Sequence, residues 1–283
     1  MKTIIATGDW HVGDSFAICP QRFETSVQGE IHKPNRGQKY LLKCFDHFSN
    51  SIPERYDILL INGDIIQGTR EARGLWEPDA LFQARAGVEL LKPLAQRAER
   101  TCITQGTCWH SGEGAAAEEK AGEQLDADEN IHVIKWGSHY CHPFLRIDID
   151  GIRVDIAHHI AQMTQYRSSA IEREIMNAKL IHEWADTPDL IIRSHIHHFY
   201  CLNAEGKIGI TLPGWQMWGI YVSTSTLPTR KFPEWLGGVQ INLYPERKHK
   251  PPQNSGEFIE VLPLLYQHPA LLSERIRDGQ AQT

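Results

Sequence analysis

The chain has 283 residues, of which 41% are hydrophobic and 23% charged, a composition that suits one large or two small globular domains. The net charge of −6 argues against a basic nucleic-acid coat, although it leaves room for a local basic patch. No apolar run is long enough to cross a membrane, the apolar stretch after Met1 is too short for a signal peptide, and the six Cys form no C-x-x-C pair, so the expectation is a cytoplasmic protein with reduced, mostly buried thiols.

In chain order, residues 3–8 read as a strand buried on both faces, and residues 12–37, broken by Pro20, Gly29, Pro34 and Gly37, as a long loop. Tyr40, Leu41, Cys44, Phe45 and Phe48 recur at helical spacing, which predicts a helix over 38–51. A second strand covers residues 58–61 and closes on Asn62-Gly63-Asp64. The loop at 65–77 carries Arg70 and Arg73, and Pro78 fits the first turn of a helix whose apolar face is Leu81, Ala84, Val88 and Leu91, with Pro93 bending or ending it. Residues 101–105 form a third strand and 115–125 a helix.

Strict alternation on both sides of Asp150-Gly151 predicts a hairpin, because Asp-Gly supplies the positive φ angles of a type I′ turn. Ser169-x-x-Glu172 resembles a capping box that opens a helix containing Ile171, Ile175, Ala178 and Ile181. Then come a strand over 189–193, a hairpin turning at Glu205-Gly206, and further strands at 239–243 and 258–261. This order predicts an α/β domain with a mixed pair of sheets, spanning 1–270. A lid or contact insertion at 213–256 and a frayed tail at 271–283 complete the expected layout.

Fifteen His are the unusual feature of the composition. Five strand-like segments end in Asp, His or a small polar residue: Asp9 and His11; Asp64; Thr107 and His110; His158 or His159; His195 and His197. Loops at the carboxyl ends of buried strands are where α/β folds place their sites. Carboxylate oxygen with neutral imidazole nitrogen is a ligand set for Zn, Mn and Fe, and two such ions can clamp a phosphoryl group.

Asp9-x-His11, Gly63-Asp64, Gly106-Thr107-Cys108-Trp109-His110, His158-His159 and Ser194-His195-x-His197 follow one another in the order of the calcineurin-like metallophosphoesterases, which this chain resembles across residues 1–198. The resemblance implies two packed mixed β-sheets flanked by helices, a four-layer α/β/β/α sandwich. It also implies two divalent metal ions (Mn, Zn or Fe) with a bridging hydroxide, and hydrolysis of phosphate esters, phosphodiesters above all. By the same resemblance Asp9, His11 and His197 would hold one metal, Asp64 would bridge both, and His158 and His195 would hold the second. His110 would be the catalytic histidine that protonates the leaving oxygen. Two positions depart from the pattern. Thr107 stands where the family has an Asn ligand, and Ser194 where it has Gly. The G-T-x-x-H form resembles phage and prophage members.

Each of these features also has a plainer reading. A Gly-Asp after a strand is usually a turn, and a His-x-His is usually a surface or core pair. Their joint occurrence at five strand ends is what gives them weight. Arg70 and Arg73 would grip substrate phosphate or decorate a solvated loop, and His159 would face substrate or support a ligand. Basic and aromatic residues over 228–250 would grip nucleic acid or form a lid or subunit contact. His139-Tyr140-Cys141-His142 reads as a solvated strand edge rather than a zinc site, and Cys108 as a packed thiol. The expected partner is a phosphoester, nucleic acid or nucleotide included, and no membrane. Alternatives to a phosphodiesterase are a phosphomonoesterase and a non-catalytic scaffold whose second metal site is degenerate at Thr107.

Overall fold

The computed structural model describes residues 1–70, 74–160, 168–181, 187–217, 235–249 and 254–269. Its elements are strands β1 (Lys2–Thr7), β2 (Phe23–Glu24) and β3 (Ile31–His32), helix α1 (Arg36–Ser51), β4 (Tyr56–Asn62), α2 (Ala80–Ala95), β5 (Ala98–Thr104), the single turn α3 (Cys108–Ser111) and α4 (Ala116–Asp126). There follow β6 (Leu145–Ile149), β7 (Ile152–Ile156), α5 (Ser169–Ile181), β8 (Leu190–Arg193), β9 (Tyr200–Ala204), β10 (Lys207–Thr211), β11 (Trp235–Leu243) and β12 (Ile259–Gln267).

Two five-stranded sheets result, in the orders β12-β11-β1-β4-β5 and β6-β7-β8-β10-β9. In the first, β1, β4 and β5 run parallel while β11 and β12 are antiparallel additions. In the second, β7, β8 and β10 run parallel between the antiparallel edges β6 and β9.

The side-chain period of two along a strand decides the layers. Ile4, Ala6 and Leu60 point into a core shared with Val154, Ile156, Leu190, Ile192, Ile208 and Ile210 of the second sheet. Ile5, Leu59 and Ile61 point the other way, into a core with Leu41, Phe45 and Phe48 of α1 and Leu91 and Leu94 of α2. On the far side Ile191 meets Ile171 and Ile175 of α5. The mixed, helix-flanked double sheet is the architecture expected from the motifs.

Local chemistry explains the element ends, with some departures from expectation. Asn35 and Gln38 form a reciprocal capping box, so α1 begins two residues earlier than its apolar spacing indicates. Asp79 caps α2 by accepting from the Leu81 and Phe82 amides; Pro78 precedes the helix, and Leu81 is exposed rather than part of the apolar face. Pro93 lies in the last turn of α2, which runs two residues further to Ala95. The Ser168 carbonyl takes the first bond of α5, which makes Ser169 the first helical residue and not its cap. The region 12–37 is not wholly a loop, since it contains the β2–β3 pair. Asp150 and Gly151 adopt φ of 51° and 89°, as a type I′ turn requires.

Of His139 to His142, His139 is exposed, as a solvated edge requires, but the rest departs from that expectation. Cys141 and His142 are buried, the thiol meeting Glu119 at 3.1 Å and the imidazole meeting the Ile134 carbonyl at 3.1 Å. Residues 218–234 and 250–253 of the expected insertion, the frayed tail and Arg73 lie outside the described residues. Trp235–Leu243 is strand β11, between β1 and β12. Of the basic stretch at 228–250, Lys248 bonds Asp189 at 2.6 Å and Arg247 lies over Tyr244 at 3.9 Å, so both contribute to the fold.

Trp215 ties this packing to the strand ends. Its ring contacts Trp10, Phe45 and Phe48 at 5.5–5.7 Å together with Phe45's own stack, its indole N–H donates to Thr7 Oγ1 at 2.9 Å, and its amide donates to the Asp9 carbonyl at 2.9 Å. Replacing Trp215 by Ala should lower the unfolding free energy by about 3–5 kcal/mol. A urea melt showing a loss under about 1 kcal/mol would contradict this placement.

Candidate metal centre

The ends of β1, β4, β5, β7 and β8, all parallel strands, converge on one cluster. Three groups of side chains bring their ligand atoms within 4.8 Å of one another: Asp9, His11 and His197; His11, Asp64 and His110; Asp64, His158 and His195. The backbone is bent to achieve this. Among the described residues, eight non-glycine residues have left-handed φ, and five of them are Asp9, His11, Asp64, His195 and His197. A left-handed φ at a non-glycine residue is unfavourable, and its concentration at one place marks a functional constraint.

Second-layer hydrogen bonds set the direction of each ring. His158 Nδ1 donates to the Asn62 carbonyl at 2.8 Å, and His110 Nδ1 to the Gln67 carbonyl at 2.7 Å. His11 Nδ1 donates to Gln67 Oε1 at 3.0 Å, an oxygen that also accepts from Gln216 Nε2 at 3.2 Å. In all three rings Nε2 is therefore the atom presented to the cluster. His11 Nε2 and His197 Nε2 approach to 3.0 Å, and Asp9 Oδ1 lies 3.3 Å from His197 Nε2, 3.8 Å from His11 Nε2 and 3.9 Å from His158 Nε2.

The donor set fits divalent metal ions. Asp9 Oδ1 and His158 Nε2 are buried and have no hydrogen-bond partner, although His158 Nε2 is only 3.1 Å from Asp64 Oδ2. Buried carboxylates and imidazoles that converge on one point, with Asp9 Oδ1 left without a hydrogen bond, are what a bound cation requires. The remaining oxygen of Asp9 accepts from the His195 amide at 3.0 Å, which fixes the carboxylate's orientation.

Electrostatics agree. Burial opposes ionisation of Asp9 and Asp64, but the neighbouring imidazoles outweigh it and hold both carboxyls below the usual carboxylate range. Burial lowers His11 to about 4 and also lowers His195, which leaves both neutral with free lone pairs at pH 7. Burial pulls His158 down as well, yet Asp64 and Asp9 together push it up to about 10 in the metal-free protein.

The expected residues are distributed as follows. His158, fully buried, joins the cluster, whereas His159 is exposed at its rim with its ring 5.4 Å from that of His195. His195 and His197 do face different groups. The cause is their left-handed φ of 72° and 54° and not the alternation of an extended strand. Thr107 is at the cluster, but its amide donates to Asp64 Oδ1 at 2.7 Å and its hydroxyl lies 3.1 and 3.2 Å from the two Asp64 oxygens. Close approach here depends on Gly106, where an added Cβ would sit 2.2 Å from Asp64 Oδ1. Arg70 lies over the Trp109 ring. Cys108 is exposed, not packed. His198 is buried outside the cluster.

Several functional residues give no sequence signal. Asn62 at the end of β4 and Gln67 and Gln216 on separate loops orient the cluster's side chains, and Gln216 also donates to Asp14 Oδ2 at 2.7 Å. Glu118, fully buried, accepts from Ser111 Oγ at 2.6 Å and from the Ile65 amide at 3.4 Å, tying the Asp64 loop to the His110 loop. Its other oxygen has no partner, and burial plus the nearby Asp64 push its pKa up to about 7. A carboxylate in the first turn of α4, in an Ala/Glu-rich segment, looks in the sequence like any solvated helix charge.

No family model matches this sequence, and no curated protein does. Among solved structures, the fold is similar to that of an archaeal phosphodiesterase, at 11% identity and a TM-score of 0.44, covering 93% of this chain and 99% of that one. It is similar to Yfce, a phosphoesterase from E. coli, at 12% identity and a TM-score of 0.40, covering 84% and 87%. It is also similar to Vps29 from Entamoeba histolytica complexed with zinc, at 12% identity and a TM-score of 0.40, covering 85% and 86%.

Two measurements check this centre. Because His158 is protonated up to about pH 10 without metal, metal uptake at pH 8 should release about one proton per chain from it. Calorimetry in buffers of different ionisation enthalpy reads that number, and uptake without proton release would contradict the assignment. The folded pKa of Glu118 lies above its unfolded value of 4.5, so the metal-free protein binds more protons than the unfolded chain between those values, and stability falls as pH rises from about 4.5 to 7. Glu118→Gln should remove a loss on the order of 3 kcal/mol from the pH 5 to pH 8 difference in urea stability; parallel curves for the two proteins would refute the burial effect.

Proposed function

We propose that this chain is a metal-dependent phosphoesterase of the calcineurin-like type, acting on phosphodiesters. The observation that carries the reading is the set of five left-handed, non-glycine residues, Asp9, His11, Asp64, His195 and His197, whose ligand atoms meet in groups of metal-binding size, with Asp9 Oδ1 buried and without a hydrogen bond among them.

In this reading Asp9, His11 and His197 would hold one ion and Asp64, His158 and His195 a second. When bound, the ions supply Lewis acidity to the phosphoryl oxygens and lower the pKa of attacking water. The protein residues do the rest. Gln67 and Asn62 fix the tautomers of His11, His110 and His158. Since the Gln67 carbonyl occupies His110 Nδ1–H, Nε2 is the atom that carries a proton to the departing alkoxide. Arg70 and His159, both exposed, would meet the substrate phosphate.

One observation favours a second reading, a scaffold with an incomplete second site. Thr107 spends both its amide and its hydroxyl on Asp64, leaving Asp64, His158 and His195 as the second group. Metal content separates the two: about two equivalents per chain supports the enzyme, and none after loading supports the scaffold.

With Mn, Zn, Ni, Co or Fe supplied, the protein should hydrolyse bis(p-nitrophenyl) phosphate faster than p-nitrophenyl phosphate. His110→Ala should lower kcat by about 10²–10⁴-fold with metal content retained. Asp64→Ala should lose metal and activity together. A folded wild-type protein that stays inactive with every metal would overturn the proposal.

A further inference from the structure

Trp109 is an exposed aromatic, 40% accessible, and immediately precedes His110 on α3. The Arg70 guanidinium stands 5.3 Å from the centre of its ring. Neither residue is needed to build the cluster, and an exposed indole costs apolar burial that a smaller side chain would not.

Their placement is fixed, however. His110 Nδ1 is bonded to the Gln67 carbonyl, and Gly68, at φ 78°, comes so close that an added Cβ would sit 2.5 Å from the His110 carbonyl oxygen. Gly68 is itself held by Gln83, whose side chain takes its amide at 2.8 Å and donates to its carbonyl at 3.2 Å. The loop leading to Arg70 and the turn bearing Trp109 are thus locked together through the residue that faces the metal cluster. Among the described residues Arg70 makes no ion pair, so its charge is available to an anion.

We infer that Trp109 and Arg70 form a nucleobase subsite beside the leaving-group histidine, and that the substrate is a nucleoside phosphodiester. The inference rests on the phosphodiesterase reading above for where the phosphate sits. A base stacks on the open face of the indole, and Arg70 meets the phosphate or its ester oxygen.

The test compares two esters with the same leaving group, thymidine 5′-(p-nitrophenyl phosphate) and methyl p-nitrophenyl phosphate. A stacked base supports a preference of about 5- to 150-fold. The wild type should show such a preference in kcat/KM, carried mostly by KM. Trp109→Ala should collapse it at least about fivefold and Trp109→Phe should keep most of it. In parallel, the metal-loaded protein should bind thymidine 5′-monophosphate more tightly than inorganic phosphate, and Trp109→Ala should remove that selectivity.

Equal kcat/KM for the two esters, or selectivity unchanged in Trp109→Ala, would overturn the subsite. If neither ester is cleaved while nucleotide selectivity still depends on Trp109, the subsite stands and the catalytic reading falls.

Discussion

A single buried amide holds the two sheets in register at the point where they carry chemistry. Asn62, the last residue of β4, accepts from Thr104 Oγ1 at 2.6 Å and donates to the Ala157 carbonyl at 3.1 Å and to Ser194 Oγ at 2.7 Å, while its own carbonyl takes His158 Nδ1–H at 2.8 Å. Four strand ends, those of β4, β5, β7 and β8, meet on this one residue. In a dry interior an unsatisfied amide would be costly, so the network is made whole or the strand ends separate. The apolar faces between the sheets provide adhesion without direction; Asn62 provides the direction.

On that frame the strand ends assemble charge that would be unstable alone. Asp9 and Asp64 are ionised although buried, because imidazoles from three other segments surround them. The imidazoles stay oriented because their outer nitrogens are spent on carbonyls and on Gln67. The strain of the left-handed residues is offset by packing beneath them, where Trp10, Phe45, Phe48 and Trp215 form a continuous aromatic base. Stability is spent here on geometry, as expected where function and packing compete.

Much of this was legible because the signals are local and periodic. Ile4 to Ala6, Leu59 to Ile61 and Leu190 to Ile192 read as buried strands, and Asp150-Gly151 and Glu205-Gly206 as turns, since backbone φ preferences are written in residue type. The five motifs stood out because each ended such a strand. Where the reading failed, a local rule lost to a tertiary partner. The spacing of Leu81 implied burial that no neighbour provides, and Cys108 next to a presumed ligand implied packing where α3 meets solvent. The divergence of His195 and His197 was right in outcome and wrong in cause, since a bend and not a pleat separates them.

The sequence by itself determined the strands, the helices, the turns and the identity of the groups able to bind metal, because periodicity and residue chemistry act over a few neighbours. Only the tertiary structure decided which groups meet. That Gln67, Gln216 and Glu118 stand behind the ligands, that His158 and not His159 turns inward, and that Thr107 bonds Asp64 all depend on contacts between segments tens to hundreds of residues apart. Those contacts have no period in the sequence, since they arise from how two sheets pack face to face and from a few buried polar atoms that had to find partners.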